Sequence, residues 1–196
     1  MFLARRPPPD TIDRFLRESR DLPLSYDPPG IVTSETRRKR VHELTATIGR
    51  GKADFERARA ALEAWKHFNI GWVETYPRQP LIEAGAVFVV LIHHIGFWSL
   101  NGCRVVYTLG CGEDEPRFGI AHGTLTNHAE AGEEIFEVFI DRETDAVIYR
   151  IRAISWPRAA LACLGHPIVR LLQERFRQHS VLAMRRAATS TWRAVT

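Results

Sequence analysis

The sequence predicts an α+β fold in which a curved antiparallel sheet of about seven strands packs around a long C-terminal helix. The first observation behind this prediction is the element order, because strand-like segments follow one another with one helical segment inserted after the first. The second is the change from alternating to helical apolar spacing after Pro157. The third is physical: the apolar face of a single sheet needs a cover, and the terminal helix is the available element.

The N-terminal residues 1–36 are predicted to form a helical extension packed on the body. Asp10 follows three prolines and is a suitable N-cap for a short helix over residues 11–20. The next segment contains three further prolines and is predicted to lack regular structure, because proline has no backbone donor. Leu24 and Tyr26 are the side chains expected to attach this segment to the body.

Residues 37–190 are predicted to form one domain, followed by a tail at 191–196. The strand-like segments are bounded by turn residues, and most alternate between apolar and polar side chains. The predicted strands are residues 41–49, 69–76, 84–94, 104–109, 117–125, 134–140 and 146–154. The third of these is apolar on both faces, which places it in the centre of the sheet. A helix over residues 52–66 separates the first two strands.

After Pro157 the sequence predicts a short helical piece up to Cys163 and then a long helix that begins near Pro167. The apolar stripe of this helix consists of Ile168, Leu171, Leu172, Phe176, Leu182 and Ala183. A curved sheet that grips a long helix usually leaves a cavity between the two. Such cavities are the default ligand sites.

Composition excludes several classes of protein. With 45% hydrophobic and 26% charged residues, wholesale disorder is not expected. The longest apolar stretch, residues 85–92, is far shorter than the ~20 residues that span a bilayer. Arginines and prolines appear before an apolar signal-peptide core could form, and 3 cysteines cannot make a full disulfide set. A reducing, cytoplasmic location is therefore predicted.

The net charge of +4 is segregated along the chain. Residues 101–156 carry 5 basic and 10 acidic groups, whereas residues 157–196 carry 7 basic groups and 1 acidic group. The predicted fold places these segments against each other as sheet and helix, so that ion pairs between them neutralise much of their charge. Nucleic acid is therefore not expected as a partner, and a weak contact of the basic helix with an anionic membrane surface stays open.

Several motifs, taken in order, resemble a known family. They are Pro23-Leu-Ser-Tyr26, Ile48-Gly-Arg-Gly51, Asn101-Gly-Cys-Arg-Val-Val-Tyr107, Gly123-Thr-Leu-Thr-Asn-His128, Ser155-x-Pro157 and Pro167-x-x-Arg170-x-x-Gln173. Together they resemble the family called domain of unknown function 1990 over nearly the whole chain. One departure is His122, since the family pattern has an aromatic residue, often tyrosine, before Gly-Thr-Leu.

The resemblance implies a fold rather than a reaction. The family looks like a branch of the helix-grip class shared by START lipid carriers and the birch-pollen allergen, which agrees with the element order. It brings no cofactor and no catalytic residues. Members of the wider class bind lipids, hormones or aromatic small molecules, and some are enzymes, so a ligand-binding role is implied by analogy of fold alone.

The densest cluster of polar side chains comprises His122, Glu133 and Glu134, with Thr124 and His128 close by. A histidine beside a carboxylate can perform acid–base chemistry when burial separates their pKa values. The favoured interpretation is structural, with hydrogen bonds that close a turn and with Glu133 paired to an arginine of the basic tail. The first three residues are therefore only weak catalytic candidates.

A metal site is not expected. His93 and His94 are adjacent on a strand and point to opposite faces, so they cannot bind one metal ion together. His122 and His128 add no familiar ligand spacing. The segment Gly49-Arg-Gly-Lys52 lacks the spacing and the hydroxyl residue of a phosphate-binding loop, so no nucleotide cofactor is expected either.

The predicted function is that of a binding module that holds a small apolar or amphipathic ligand between the sheet and the C-terminal helix. The candidate ligand-binding residues are Phe88, Tyr107, His122, Phe136 and Tyr149. Two alternatives stay open: an enzyme that uses His122 with Glu133 or Glu134 in the same cavity, and a peripheral membrane protein. The oligomeric state does not follow from the sequence.

Overall fold

The computed structural model describes residues 1–33, 41–110, 116–157 and 166–189. Its strands are β1 (Phe2–Leu3), β2 (His42–Arg50), β3 (Val73–Tyr76), β4 (Val87–His94), β5 (Phe97–Leu109), β6 (Arg117–Thr124), β7 (Glu130–Ile140) and β8 (Ala146–Pro157). Its helices are α1 (Pro9–Ser19), α2 (Gly51–Glu63) and α3 (His166–Thr189), with a 3-10 turn at Lys66–Phe68. The predicted boundary at residues 36–37, the helical piece up to Cys163 and the tail at 191–196 lie outside the described residues.

The main strands form one antiparallel sheet in the order β2-β8-β7-β6-β5-β4-β3. The two-residue β1 pairs with the start of β5, ahead of the stretch that pairs with β6. The sheet curls around α3, which packs against α2, β2 and β8. The predicted α+β fold, with a curved sheet around a long C-terminal helix, is confirmed.

The concave face of the sheet carries the main core, which α2 and α3 cover. Its largest fully buried side chains are Phe55, Trp65, Phe88, Phe136 and Tyr149. The helix predicted over residues 52–66 ends at Glu63 instead, because Trp65 adopts a left-handed conformation with φ of 55°. This bend turns the indole into the core, where its Nε1 donates to the backbone oxygen of Pro80 at 2.9 Å.

The convex face is covered by the N-terminal extension. Ile12 and Phe15 of α1 pack against Val89, Leu91 and Leu100. This cover explains why β4 is apolar on both faces although it lies next to the edge strand β3. β4 is hydrogen-bonded to strands on both sides, as an interior strand is, but it lies second from the edge and not at the centre of the sheet, and α1 buries its outer face.

The start of α1 differs from the predicted cap. Pro8 occupies the N-cap position and no side chain caps the helix. Asp10 lies in the first turn, where a negative charge interacts favourably with the positive end of the helix dipole. The prediction of Asp10 as N-cap is wrong, since proline at the first helical positions lets the helix begin earlier.

A buried carboxylate neutralises part of the charge within the sheet. Glu137 is fully buried, and its Oε1 accepts from Arg150 at 2.8 Å and lies 3.1 Å from Nη2 of Arg152. Arg117 approaches its other oxygen at 3.7 Å. All four residues belong to the acidic segment 101–156. The predicted pairing between this segment and the basic helix therefore does not account for its buried Glu137.

Candidate functional site

A cavity of ≈ 630 Å³ lies between the concave face of the sheet and the first half of α3. Its walls come from strands β4 to β8 on one side and from Leu172, Phe176 and Arg177 of α3 on the other. The lining is mainly apolar and includes a few polar groups. Both the size and this composition are typical of pockets for small molecules, which span about 300–1,000 Å³.

The cavity arises because side chains become smaller along the concave face. On β8 the inward-facing series is Tyr149, Ile151, Ala153 and Ser155. On β7 it is Phe136, Glu134 and Gly132. The large residues fill the end of the face beneath α2, whereas the small ones leave space beneath the start of α3.

Small polar residues of β5 line one wall of the cavity. Ser99, Asn101 and Cys103 alternate along the strand and share its concave face. The Asn101 amide donates to the backbone oxygen of Val90 at 3.3 Å and to Ser99 Oγ at 3.0 Å. Burial raises the pKa of the Cys103 thiol, so this cysteine is a poor nucleophile.

His122 and Glu134 are cross-strand partners on β6 and β7, and both line the cavity. Nε2 of His122 lies 3.9 Å from Oε2 of Glu134, which is too long for a hydrogen bond. Burial lowers the pKa of His122 to about 4. Burial also raises the pKa of Glu134 to about 8; the charge of Arg177 opposes this rise, and that of Glu130 adds to it. Near pH 7 both side chains are therefore predominantly uncharged.

The turn between β6 and β7 is held by side-chain hydrogen bonds. Nδ1 of His128 accepts from the backbone N–H of Glu130 at 2.9 Å, and burial lowers the pKa of this imidazole to about 3. Asn127 donates to Ser19 Oγ at 2.7 Å, which ties the turn to α1. These are contacts of the structural kind that the sequence favours for this cluster.

Glu133 borders the cavity, but its carboxylate lies on the convex face of the sheet. Its Oε2 accepts from Tyr26 Oη and from the backbone N–H of Gly30, both at 2.7 Å. Its Oε1 accepts from the backbone N–H of Val32 at 3.3 Å and from Tyr107 Oη at 3.4 Å. Glu133 therefore anchors the N-terminal extension. In the described part of the chain, no arginine of the tail pairs with Glu133, and its carboxylate lies on the face opposite to His122.

The predicted placement of Tyr107 towards the helix is also wrong. A β-bulge between Val105 and Tyr107 adds one residue to β5, which reverses the side-chain alternation beyond it. Val105 faces the concave core, whereas Tyr107 packs on the convex face beside Val32 and Ile135. Burial raises the pKa of Tyr107 to about 12 in this position.

The other predicted ligand-binding residues divide into two groups. His122 lines the cavity. Phe88, Phe136 and Tyr149 face the same side of the sheet, but they are fully buried in the core and do not line the cavity. Tyr149 Oη is held by Ser180 Oγ of α3 at 2.8 Å. These three aromatics therefore belong to the packed core beside the cavity and not to its lining.

Several lining residues are absent from the sequence prediction, chiefly Ser99, Asn101, Gln173 and Arg177. β5 begins at Phe97 and not at residue 104, so the alternation of Ser99, Asn101 and Cys103 lay outside the predicted strand. That alternation is the signal that could have found them. Gln173 lies on the predicted terminal helix and donates to Glu130 Oε1 at 2.9 Å and to Ser155 Oγ at 3.0 Å.

The cavity opens beside the β4–β5 hairpin, where apolar side chains are exposed. The turn residues Ile95 and Gly96 have φ of 50° and 76°, as in a type I′ turn, which favours Asn and Gly. A β-branched residue is unfavourable at positive φ, yet Ile95 occupies the position and is 67% exposed. Phe97 and Phe2 are half-exposed at the same opening.

Comparison with known proteins supports the predicted family. The sequence pattern of the family described as Domain of unknown function (DUF1990) matches residues 30–183. The chain belongs to this family. It is 30% identical over 209 residues to a UPF0548 protein of Dictyostelium discoideum, with 97% of each chain covered. It is 32% identical over 206 residues to a UPF0548 protein of Deinococcus radiodurans, covering 96% of this chain and 99% of that one.

The DUF1990 chain also resembles a solved structure of low sequence identity. The Zhui aromatase/cyclase of a Streptomyces species superimposes with a TM-score of 0.52 at 14% identity, covering 80% of this chain and 98% of that one. At this identity the likeness shows the fold alone, and it confirms the helix-grip class. Within the described part of the chain, no helix is both long and apolar enough to cross a membrane.

Proposed function

We propose that the protein is a binding module that holds a small apolar or amphipathic molecule in the cavity between the sheet and α3. The observation that carries this proposal is the cavity itself, ≈ 630 Å³ of mainly apolar space inside a sheet whose opposite face is also covered. The graded side-chain sizes on β7 and β8 support it, since they keep the space open while Phe88 and Phe136 pack tightly beside it.

The exposed side chains at the opening support the same proposal. Ile95 lies in a backbone conformation that favours asparagine or glycine, so the turn itself does not account for an isoleucine. An apolar molecule that reaches the opening would cover Ile95 and Phe97 and remove their apolar surface from water. The hairpin is therefore assigned to contact with the outer part of the ligand.

Filling the cavity is expected to weaken ligand binding without loss of stability. Ala153 lies on the cavity wall opposite α3, and a phenylalanine there would project into the empty space. We expect Ala153→Phe to weaken binding of the neutral apolar dye Nile red by about tenfold or more, because the ring occupies volume that the dye needs. Fluorescence titration measures the affinity, and urea denaturation measures the stability.

The matched control is Leu182→Phe, which adds the same ring to a 46% exposed position on α3 and should leave dye binding unchanged. Native mass spectrometry of the mildly purified protein gives an independent readout through a co-purifying small molecule. Equal dye affinity of the wild type and Ala153→Phe would contradict the proposal.

A second candidate function is acid–base chemistry on the bound molecule, favoured by the 3.9 Å approach of His122 and Glu134. Near pH 7 the neutral imidazole is the base and the protonated carboxyl is the acid. With an apolar ketone such as 2-tetralone, the base would remove a proton next to the carbonyl while the acid protonates its oxygen. The wild type in D₂O should then speed deuterium exchange at that carbon, and His122→Gln should not; a wild-type rate equal to that of buffer excludes this chemistry.

A further inference from the structure

One wall of the cavity carries polar groups that keep unused hydrogen-bonding capacity. Ser99 and Asn101 lie two residues apart on β5, and their cross-strand partners on β4 are Ile92 and Val90. All four side chains line the cavity. The polar pair is therefore framed by apolar side chains, which is the arrangement that fixes one polar group of an otherwise apolar ligand.

The hydrogen bonds of Asn101 define what remains available to a ligand. Its two amide hydrogens are directed to the Val90 backbone oxygen and to Ser99 Oγ. Among the described residues, no donor reaches the remaining side-chain oxygen of Asn101. Because Ser99 Oγ is the acceptor in its bond, its own hydroxyl hydrogen stays free to donate. This wall thus offers one neutral acceptor and one neutral donor.

His122 and Glu134 extend the polar wall onto β6 and β7. Within the described part of the chain, Nδ1 of His122 is buried without a hydrogen-bond partner. The imidazole is packed between Phe68, Phe88 and Phe136, which disfavours its charged form. Glu134 lies directly opposite it across the strand pair. Because Nδ1 is shielded from solvent, Nε2 is the ring nitrogen of His122 that a ligand in the cavity can reach.

The charged groups at the edge of the cavity are engaged with one another. The guanidinium of Arg177 donates to Glu174 Oε2 through Nη2 at 2.9 Å and Nε at 3.2 Å. Glu130 accepts from Gln173 at 2.9 Å. An anionic ligand would therefore have to displace Glu174 from Arg177 before it could pair with a counter-ion. Burial of an ionised group without a counter-ion is strongly unfavourable.

We propose that the cavity selects molecules whose polar end is an uncharged hydroxyl or carbonyl group on an apolar body, and that it discriminates against the corresponding carboxylates. A hydroxyl would donate to Asn101 and accept from Ser99. A carbonyl would accept from Ser99. This inference rests on the proposed binding function and names its ligand class.

The test compares three probes that share one apolar body. Calorimetric titration at pH 7 with naphthalene, 2-naphthol and 2-naphthoate measures the contribution of the polar end. We expect 2-naphthol to bind about tenfold more tightly than naphthalene, as one satisfied neutral hydrogen bond provides. The carboxylate should bind more weakly than either. Equal or tighter binding of 2-naphthoate overturns the inference and leaves the binding function intact, whereas failure of all three probes to bind counts against both.

Two variants test which wall of the cavity forms hydrogen bonds with the polar group of the ligand. Asn101→Leu should remove the preference for 2-naphthol over naphthalene. The matched control Asn69→Leu makes the same substitution at an exposed position outside the cavity and should keep the preference. A preference that survives in Asn101→Leu overturns the assignment of this wall. The comparison of probes on the wild type decides the ligand class even if a variant fails to fold.

Discussion

Replacing Glu133 with alanine is expected to lower the free energy of unfolding by about 3–5 kcal/mol. The side chain is only 2% exposed and accepts hydrogen bonds from two tyrosine hydroxyls and two backbone N–H groups. Its removal takes this acceptor from Tyr26, Gly30, Val32 and Tyr107, of which Tyr26 and Val32 are buried. Urea denaturation followed by circular dichroism measures the loss.

Two controls separate the anchor from a general effect of charge. Tyr26→Phe removes one donor and should cost about 1–2 kcal/mol. Glu74→Ala removes a carboxylate that pairs with the exposed Arg6 and should cost less than about 1 kcal/mol. A stability of Glu133→Ala within 1 kcal/mol of the wild type would show that the anchor does not hold the extension.

Acid is expected to destabilise the protein from about pH 6.5 downwards. Burial lowers the pKa of His122 to about 4 and of His128 to about 3, and it lowers that of His67 well below its usual value. Below the unfolded pKa near 6.5 the unfolded chain binds protons that the folded chain does not, so stability falls as pH falls. Each such histidine removes up to about 1.4 kcal/mol per pH unit.

Glu134 changes the free energy of unfolding with pH in the opposite direction to the histidines. Burial raises its pKa to about 8, so between its unfolded pKa and pH 8 the folded state holds a proton that the unfolded state has lost. Its contribution therefore declines as pH rises through this range. Below about pH 6.5 the three histidines outweigh it, and above this pH the decline due to Glu134 remains. The N-terminal amine of Met1, whose pKa burial lowers, acts against it in the alkaline part.

The measurement is urea denaturation from pH 4 to 9 on matched variants. His67→Phe should reduce the slope of the unfolding free energy against pH in acid by the contribution of one proton. The reason is that the His67 ring stacks on Trp65 at 5.4 Å and both its nitrogens are buried without a partner among the described residues. Glu134→Gln should reduce the loss of stability between pH 6.5 and 8. Identical pH profiles for the wild type and both variants would contradict these assignments.

The fold was predictable because its signals are local. Alternation located most strands, and helical spacing located α2 and α3. The predicted apolar stripe of α3 was partly wrong, because Leu171 and Leu182 are exposed whereas Val181 and Met184 are buried. The error in placing β4 has a physical cause. Apolar residues on both faces show only that both faces are covered, and a helix such as α1 can cover a strand that is not at the centre of the sheet. The start of β5 was missed because Ser99, Asn101 and Gly102 do not show the apolar residues that mark a strand.

The site was less predictable because it depends on which face each residue occupies. Adjacency alone shows that Glu133 and Glu134 point to opposite faces, but it does not say which one meets the cavity. Tyr107 was misplaced by a bulge, which inserts one residue without a change in composition. The empty space itself is a difference in volume between neighbouring side chains, and it appears only after the register of the sheet is known.

The position of the N-terminal extension has a consequence for the unit that folds autonomously. The family pattern begins at residue 30, beyond α1 and Tyr26. A fragment cut at that residue would expose Val89, Leu91 and Leu100 on the convex face and remove a donor to Glu133. We expect such a fragment to aggregate, because contiguous apolar surfaces of this kind associate with one another in water. The segment that the family pattern matches is thus smaller than the segment that has to fold together.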